Sequence, residues 1–87
     1  INKLQVEGSF DIIIFNESLY YLNDPLMCVR QLSAHLNSGG VFIVSMHKVG
    51  TERDWIWAAL DEALELKDRT DVINGPNTWT LGVYKVK

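Results

Sequence analysis

The sequence predicts an α/β chain in which a strand, a helix, a second strand, a second helix and an antiparallel hairpin follow one another. Two apolar runs, Ile12–Phe15 and Val41–Val44, are continuous rather than alternating, which is typical of strands covered on both faces of a parallel sheet. A strand, a crossover helix and a second strand form a right-handed unit with a parallel strand pair. We therefore expect the carboxyl ends of both strands to meet at one edge of the sheet, where ligands bind in open α/β folds.

The first helix is expected to begin at Pro25, because Asp24 is a good N-cap and proline suits the first helical position. Its apolar side chains recur at helical spacing: Leu26, Val29, Leu32 and Leu36. The segment Ser38-Gly39-Gly40 is expected to end the helix, since glycine readily adopts the left-handed conformation that closes one. The second strand then leads through Ser45 to His47.

A second helix is predicted over Trp55–Leu66. It follows Thr51–Asp54, which resembles a capping box with Asp in the last position. Its apolar stripe comprises Ile56, Ala59, Leu60, Ala63 and Leu64. Two strands rich in Thr, Val and aromatic residues, Thr70–Asn74 and Thr78–Val86, flank a Gly75-Pro76-Asn77 turn, which predicts an antiparallel hairpin.

Composition limits the class of protein and its partners. The chain has 87 residues, of which 47% are hydrophobic and 22% are charged, as in a globular chain of one domain at most. Its net charge of -3 disfavours nucleic acids and anionic membranes as partners, and no apolar run approaches the ~20 residues of a membrane span. Cys28 is the one cysteine, which excludes an internal disulfide and favours a reducing, cytoplasmic setting.

The chain also reads as a piece of a longer protein. It starts at Ile1 without an initiator methionine and ends on a strand-like segment. We expect Ile1–Ser9 to be the tail of an earlier element followed by a loop. The domain organisation expected for residues 1–87 is therefore a single, partial domain.

Several motifs occur in a family-specific order: Phe10-Asp11 before an aliphatic strand, Asn16–Leu22 in the next loop, Asp24-Pro25, and Ser38-Gly39-Gly40 before a Phe-Ile-Val strand. From Phe10 onward the chain resembles the carboxyl-terminal half of class I S-adenosylmethionine-dependent methyltransferases, a Rossmann-like fold. The amino-acid sequence of Glu17–Leu22 is most similar to that of small-molecule enzymes such as the nodulation-type N-methyltransferases. The resemblance implies S-adenosylmethionine as cofactor and a small-molecule methyl acceptor for the intact parent protein.

The family's main cofactor cradle is missing from this sequence. Members hold the cofactor with a glycine-rich loop after their first strand and an acidic residue after their second, and neither is found here. Gly39-Gly40 leads into a strand rather than opening a helix that receives a ligand. The resemblance therefore implies that the fragment alone is inactive.

The resemblance also implies roles for the polar residues after the first strand. Asn16, Glu17 and Ser18 would bind the cofactor, Asn16 through a carbonyl, and Glu17 would in addition supply a catalytic carboxylate. The alternative from residue chemistry is that Asn16 forms an Asx-type turn and Glu17 caps the following turn, as such residues do after strands.

Tyr20, Tyr21 and His47 are candidates for binding the methyl acceptor. Methyl transfer is a direct displacement that depends on alignment and desolvation of the two reactants, and aromatic walls suit both tasks. An imidazole titrates near neutral pH and could serve as a base. Alternatively, one tyrosine packs under the helix and His47 is an ordinary loop residue. No metal site is expected, because no second histidine lies at ligand spacing.

In the family's strand order the Phe10 strand sits in mid-sheet, beside a first strand that this sequence lacks. The backbone N–H and C=O groups of Ile12–Phe15 would then lack hydrogen-bond partners on that side. We expect the chain to self-associate through this edge, as a dimer or a swapped sheet. A different class of function is a non-catalytic protein-interaction module that binds a protein along the same edge. Another doubly wound enzyme class is disfavoured by the terminal hairpin.

Overall fold

A mixed sheet with two helices makes up residues 7–87, the part of the chain that the computed structural model describes. The strands are β1 (Phe10–Asn16), β2 (Leu36–His47), β3 (Leu64–Asn74) and β4 (Asn77–Val86), and the helices are α1 (Pro25–Ser33) and α2 (Asp54–Ala63). The strand order is β1-β2-β4-β3, with β1 and β2 parallel and the other two pairs antiparallel. The predicted α/β class, element order and parallel pair are confirmed. The expectation for Ile1–Ser9 falls largely outside the described residues.

Both helices pack on one face of the sheet, around a single apolar core. The buried side chains of that core are Phe15, Leu19, Val29, Leu32, Phe42, Val44, Met46, Ile56, Leu60, Leu64 and Tyr84. Burying one such side chain contributes roughly 1.5–3 kcal/mol, so this cluster is what attaches α1 and α2 to the strands.

The prediction that β1 is covered on both faces is wrong. Phe15 is buried against the helices, whereas Ile12 and Ile14 are 54% and 63% exposed. Successive side chains of a strand point to opposite faces, and neither helix packs on the face that carries these two isoleucines. β1 is also an edge strand, since β2 is its one neighbour within the described sheet.

The first helix is shorter than predicted. Asp24 caps it as expected, with its Oδ1 accepting a hydrogen bond of 3.0 Å from the Met27 N–H. The helix ends at Ser33, and Leu36 pairs with Phe10 in the sheet. Leu36, which was expected to belong to the helix, is therefore part of the sheet instead.

Gly39 and Gly40 lie inside β2 and do not close the helix. Gly39 has a φ of 79°, and the β1–β2 register shifts between Phe10 and Ile12, opposite these glycines. A Cβ on Gly40 would lie 2.8 Å from the backbone oxygen of Asp11. The two glycines thus allow an irregularity in the strand and a close approach between two backbones.

The second helix also ends early, at Ala63, because Leu64–Leu66 pair with β4. The predicted capping box at Thr51–Asp54 is wrong: the N-cap is Arg53, and no side chain caps the helix. The predicted hairpin is confirmed with a longer first strand, and its two-residue turn places Gly75 at a φ of 61°. No helix within residues 7–87 is long and apolar enough to cross a membrane.

A polar contact fastens β3 to α2 above the buried ring of Tyr84. Arg69 Nη2 donates to Asp61 Oδ1 at 2.6 Å and to the Tyr84 hydroxyl at 2.8 Å, and that hydroxyl donates to Asp61 at 2.6 Å. Burial would raise the pKa of Asp61, but the hydrogen bonds from Arg69 and Tyr84 outweigh it and lower the pKa. Burial, helped by the bond to Asp61, raises the pKa of Tyr84 far above its ordinary value.

Candidate functional site

The carboxyl ends of β1 and β2 meet side by side, as the sequence predicts. Asn16 pairs with Ser45 in the parallel register, and the Ser45 hydroxyl donates to Asn16 Oδ1 at 2.8 Å. The backbone N–H of Glu17 donates to the Ser45 carbonyl at 2.9 Å. These bonds fix the position of the first polar residues after the apolar strand.

Glu17 adopts an unusual backbone conformation at this edge. Its φ of 52° lies in the left-handed region, which non-glycine residues rarely adopt without support from their surroundings. The support comes from its own carboxylate: Oε1 accepts hydrogen bonds from the His47 backbone N–H at 2.8 Å and from the Tyr20 hydroxyl at 3.0 Å. The side chain therefore joins the loop after β1 to the end of β2.

The second carboxylate oxygen of Glu17 is less constrained. The Ser45 hydroxyl lies 3.4 Å from Oε2 and 2.8 Å from Asn16 Oδ1, and the shorter contact is the stronger one for its single proton. A carboxylate oxygen has two lone pairs. Oε2 is thus the atom of Glu17 with acceptor capacity left for a ligand.

Tyr20 and Tyr21 differ in their surroundings, although they adjoin in the short 3-10 turn at Leu19–Tyr21. Tyr20 is half-buried, and the guanidinium carbon of Arg53 lies 3.9 Å from the centre of its ring. Burial and the hydrogen bond to Glu17 raise the pKa of the Tyr20 hydroxyl. Tyr21 is 77% exposed, with its ring centroid 4.6 Å from that of Tyr20. Tyr20 is thus tied into the site, whereas Tyr21 lies at its rim.

His47 and Ser18 enter the site through their backbones. The His47 N–H is bound to Glu17, whereas its imidazole lies 5.2 Å from the ring of Trp79, centroid to centroid. The carbonyl of Ser18 accepts a hydrogen bond of 3.1 Å from the Tyr21 N–H, and the Ser18 side chain caps no helix. The roles in cofactor and acceptor binding that the sequence suggested for these residues remain predictions.

Two further residues of the site were missed by sequence reasoning. Ser45 joins Asn16 through its hydroxyl, and the pairing of two parallel strand ends was the signal that could have identified it. Arg53 covers Tyr20, and the signal was weaker: a cation in the loop that follows the carboxyl end of β2. Its position over the ring depends on how α2 folds back, which the local sequence does not encode.

Comparison with known proteins assigns this chain to a protein family. The family model described as "Methyltransferase domain" matches residues 2–74. A curated relative, malonyl-[acyl-carrier protein] O-methyltransferase of Bacillus anthracis, is 38% identical over 45 residues, which cover 52% of this chain and 17% of that protein. A crystal structure of a methyltransferase from Pyrococcus furiosus superposes with a TM-score of 0.66 at 20% identity, covering 94% of this chain and 44% of that one.

The fold is thus that of part of a Rossmann-like methyltransferase. The chain belongs to the methyltransferase domain family, since the family model spans most of its length. It spans less than half the length of either relative.

Proposed function

We propose that this chain is the carboxyl-terminal half of a methyltransferase that uses S-adenosylmethionine to methylate a small molecule. The observation that carries the proposal is a parallel strand pair, in a chain of the methyltransferase domain family, whose carboxyl ends bring Asn16 and Glu17 next to Ser45. Such strand ends are where open α/β sheets bind ligands. The partial coverage of the Pyrococcus furiosus structure, 44% of its length, supports the assignment to half of a larger enzyme.

The polar groups at this edge suit the charges of the proposed cofactor. S-adenosylmethionine supplies, when bound, a methyl group on a positively charged sulfonium and carries an ammonium group as well. Glu17 Oε2 and the carbonyl of Asn16 are acceptor oxygens, which favour cations, and Ser18 follows directly. Glu17 holds the loop in place through Oε1, and Oε2 would be available to accept a hydrogen bond from the cofactor's ammonium group or from the methyl acceptor.

The acceptor would bind beside these residues. Tyr20 is immobilised by Glu17 and Arg53, so it provides a fixed wall against which a reactant aligns. Tyr21 and His47 complete the proposed acceptor site. The amino-acid sequence of Glu17–Leu22 resembles that of nodulation-type N-methyltransferases. This resemblance supports a small molecule rather than a macromolecule as the acceptor.

Calorimetric titration of the intact parent protein with S-adenosylhomocysteine tests the cofactor assignment. We expect saturable binding at one site. Glu17→Ala should weaken it about tenfold, because a charged contact of ~1.5 kcal/mol with the ammonium group, the positive charge that S-adenosylhomocysteine keeps, is lost. Glu62→Ala, on the exposed side of α2, is the matched control and should leave the affinity unchanged. Absence of binding by the parent would refute the cofactor assignment.

The fragment alone is proposed to be inactive, since its sequence lacks the glycine-rich loop of the family. The alternative is a non-catalytic interaction module derived from the same fold and binding a protein along β1. The enzyme hypothesis and the interaction-module hypothesis predict different sequences upstream of Ile1. An upstream glycine-rich strand-loop-helix segment in the reading frame supports the enzyme, and a reading frame that begins near Ile1 supports the module.

We also propose that the isolated chain self-associates through β1. This strand has a sheet neighbour on one side among the described residues, and Ile12 and Ile14 present apolar surface next to its open edge. Unpaired strand edges of this kind template pairing with another chain. Analytical ultracentrifugation at micromolar concentration should show dimers or larger species, and a stable monomer would contradict the proposal.

Two lysine variants localise the association. Ile14→Lys places a charge beside the β1 edge and should shift the chain towards monomer, since charged side chains protect sheet edges. Val72→Lys does the same on β3, the opposite edge strand, at a residue of similar exposure (48% against 63%). Equal effects of the two variants would show that association does not run through β1.

A further inference from the structure

A recess lies between α2 and the β3–β4 hairpin, on the helix-covered face of the sheet. Its volume is about 300 Å³, within the range of small-molecule sites. The side chains of Lys48, Arg53, Arg69 and Trp57 line it, together with the carboxylates of Asp54 and Asp61. An aromatic wall with several cations around it is suited to a small organic anion.

The charges of the recess do not cancel uniformly. Asp61 and Arg69 neutralise each other at 2.6 Å, and Arg53 pairs with the exposed carboxylate of Glu52 at 3.0 Å. Among the described residues that line the recess, this leaves Lys48 as the unpaired cation and Asp54 as the unpaired carboxylate. Asp54 is the first residue of α2, where the positive end of the helix dipole offsets its charge. Within residues 7–87, Lys48 forms no ion pair.

Arg53 is incompletely satisfied. Its Nη1 donates to the carboxylate of Glu52 at 3.0 Å, and the Glu52 side chain is 67% exposed. The Arg53 Nε is buried and has no hydrogen-bond partner in the described part of the chain. A buried donor without an acceptor destabilises a protein. A carboxylate matches the planar fork of donors that an arginine presents.

We propose that this recess binds the carboxylate of the methyl acceptor, with Lys48 and Arg53 holding the acid and Trp57 contacting the apolar or aromatic body. Arg53 connects the recess to the candidate site, since the same guanidinium covers Tyr20, which is bonded to Glu17. The recess and the candidate site therefore share the side chain of Arg53. The acceptor role of this ligand rests on the function proposed above, whereas the binding of an organic acid does not.

The test is a titration of the 87-residue chain with phenylacetate and with phenylacetamide, its neutral analogue. Binding is followed by NMR through the indole N–H signal of Trp57, assigned with a Trp57→Phe variant. We expect phenylacetate to shift this signal and phenylacetamide to bind about tenfold more weakly, the factor that corresponds to loss of one charged contact. Equal affinity for the acid and the amide, or an unshifted Trp57 signal at millimolar ligand, would overturn the proposal.

Variants of two lysines make the test specific. Lys48→Gln should weaken phenylacetate binding by about fivefold to tenfold, whereas Lys67→Gln should leave it unchanged, because Lys67 lies on β3 and pairs with Glu65 at 2.9 Å. Arg53→Lys keeps the charge but removes the planar fork, so it should also weaken binding. Equal loss in Lys48→Gln and Lys67→Gln would mean nonspecific attraction and would refute the site. Since no cofactor is added, a negative result leaves methyl transfer itself untouched.

Discussion

Replacing Glu17 with alanine is expected to lower the free energy of unfolding by about 2–3 kcal/mol, because two hydrogen bonds to an ionised acceptor are lost at a half-buried position. The two bonds run from the His47 N–H at 2.8 Å and from the Tyr20 hydroxyl at 3.0 Å to the same oxygen. Alanine would also keep the left-handed backbone, whose φ is 52°, without the contacts that support it.

Two other substitutions separate the contributions. Glu17→Gln keeps an oxygen for both donors but removes the charge, so it should cost about 1 kcal/mol. Glu17→Gly loses the same bonds as alanine but relieves the left-handed strain, and should be about 1 kcal/mol more stable than alanine. From most to least stable, the expected order is therefore wild type, Glu17→Gln, Glu17→Gly and Glu17→Ala.

Urea denaturation at fixed protein concentration measures this order, since association makes apparent stability depend on concentration. Glu62→Ala is the control, because this exposed residue of α2 makes no side-chain hydrogen bond within residues 7–87. If Glu17→Ala and Glu17→Gln lower the free energy of unfolding equally, the charge of Glu17 rather than its hydrogen bonds holds the loop. If alanine is as stable as the wild type, the joining role assigned to Glu17 is wrong.

Three further predictions concern the remaining titratable and buried groups. Tyr84→Phe should lower the free energy of unfolding by about 1–2 kcal/mol in urea denaturation, since the hydroxyl bonds to both Asp61 and Arg69. The folded pKa of Asp61 is lowered, so its ion pair stabilises the fold above the unfolded pKa of about 4 and is lost as the pH falls below it. Because the pair is partly exposed, this amounts to ~0.5 kcal/mol, and Asp61→Asn should remove that part of the acid dependence of the urea midpoint. Burial raises the pKa of the Cys28 thiol, so Cys28 should react with a thiol reagent at neutral pH more slowly than a free cysteine, and an equal rate would contradict this.

Local sequence signals suffice at the start of a helix. Asp24 and Pro25 fix the start of α1 because a cap and a proline act within one helical turn. The ends of the helices could not be predicted in this way. Apolar residues suited both a longer helix and a strand at Leu36 and again at Leu64, and pairing with Phe10 and with Val86, distant in sequence, decided for the strand.

The sequence by itself determined the order of elements, the parallel pair and the meeting of Asn16 with the end of β2, because apolar runs and turn residues set these locally. Tertiary structure alone decided that one face of β1 stays open, that Arg53 covers Tyr20 and that Glu17 bonds to a residue 30 positions away. The physical reason is that such contacts depend on where the backbone brings distant groups together, and the chemistry of a single side chain is compatible with many partners until the fold selects one.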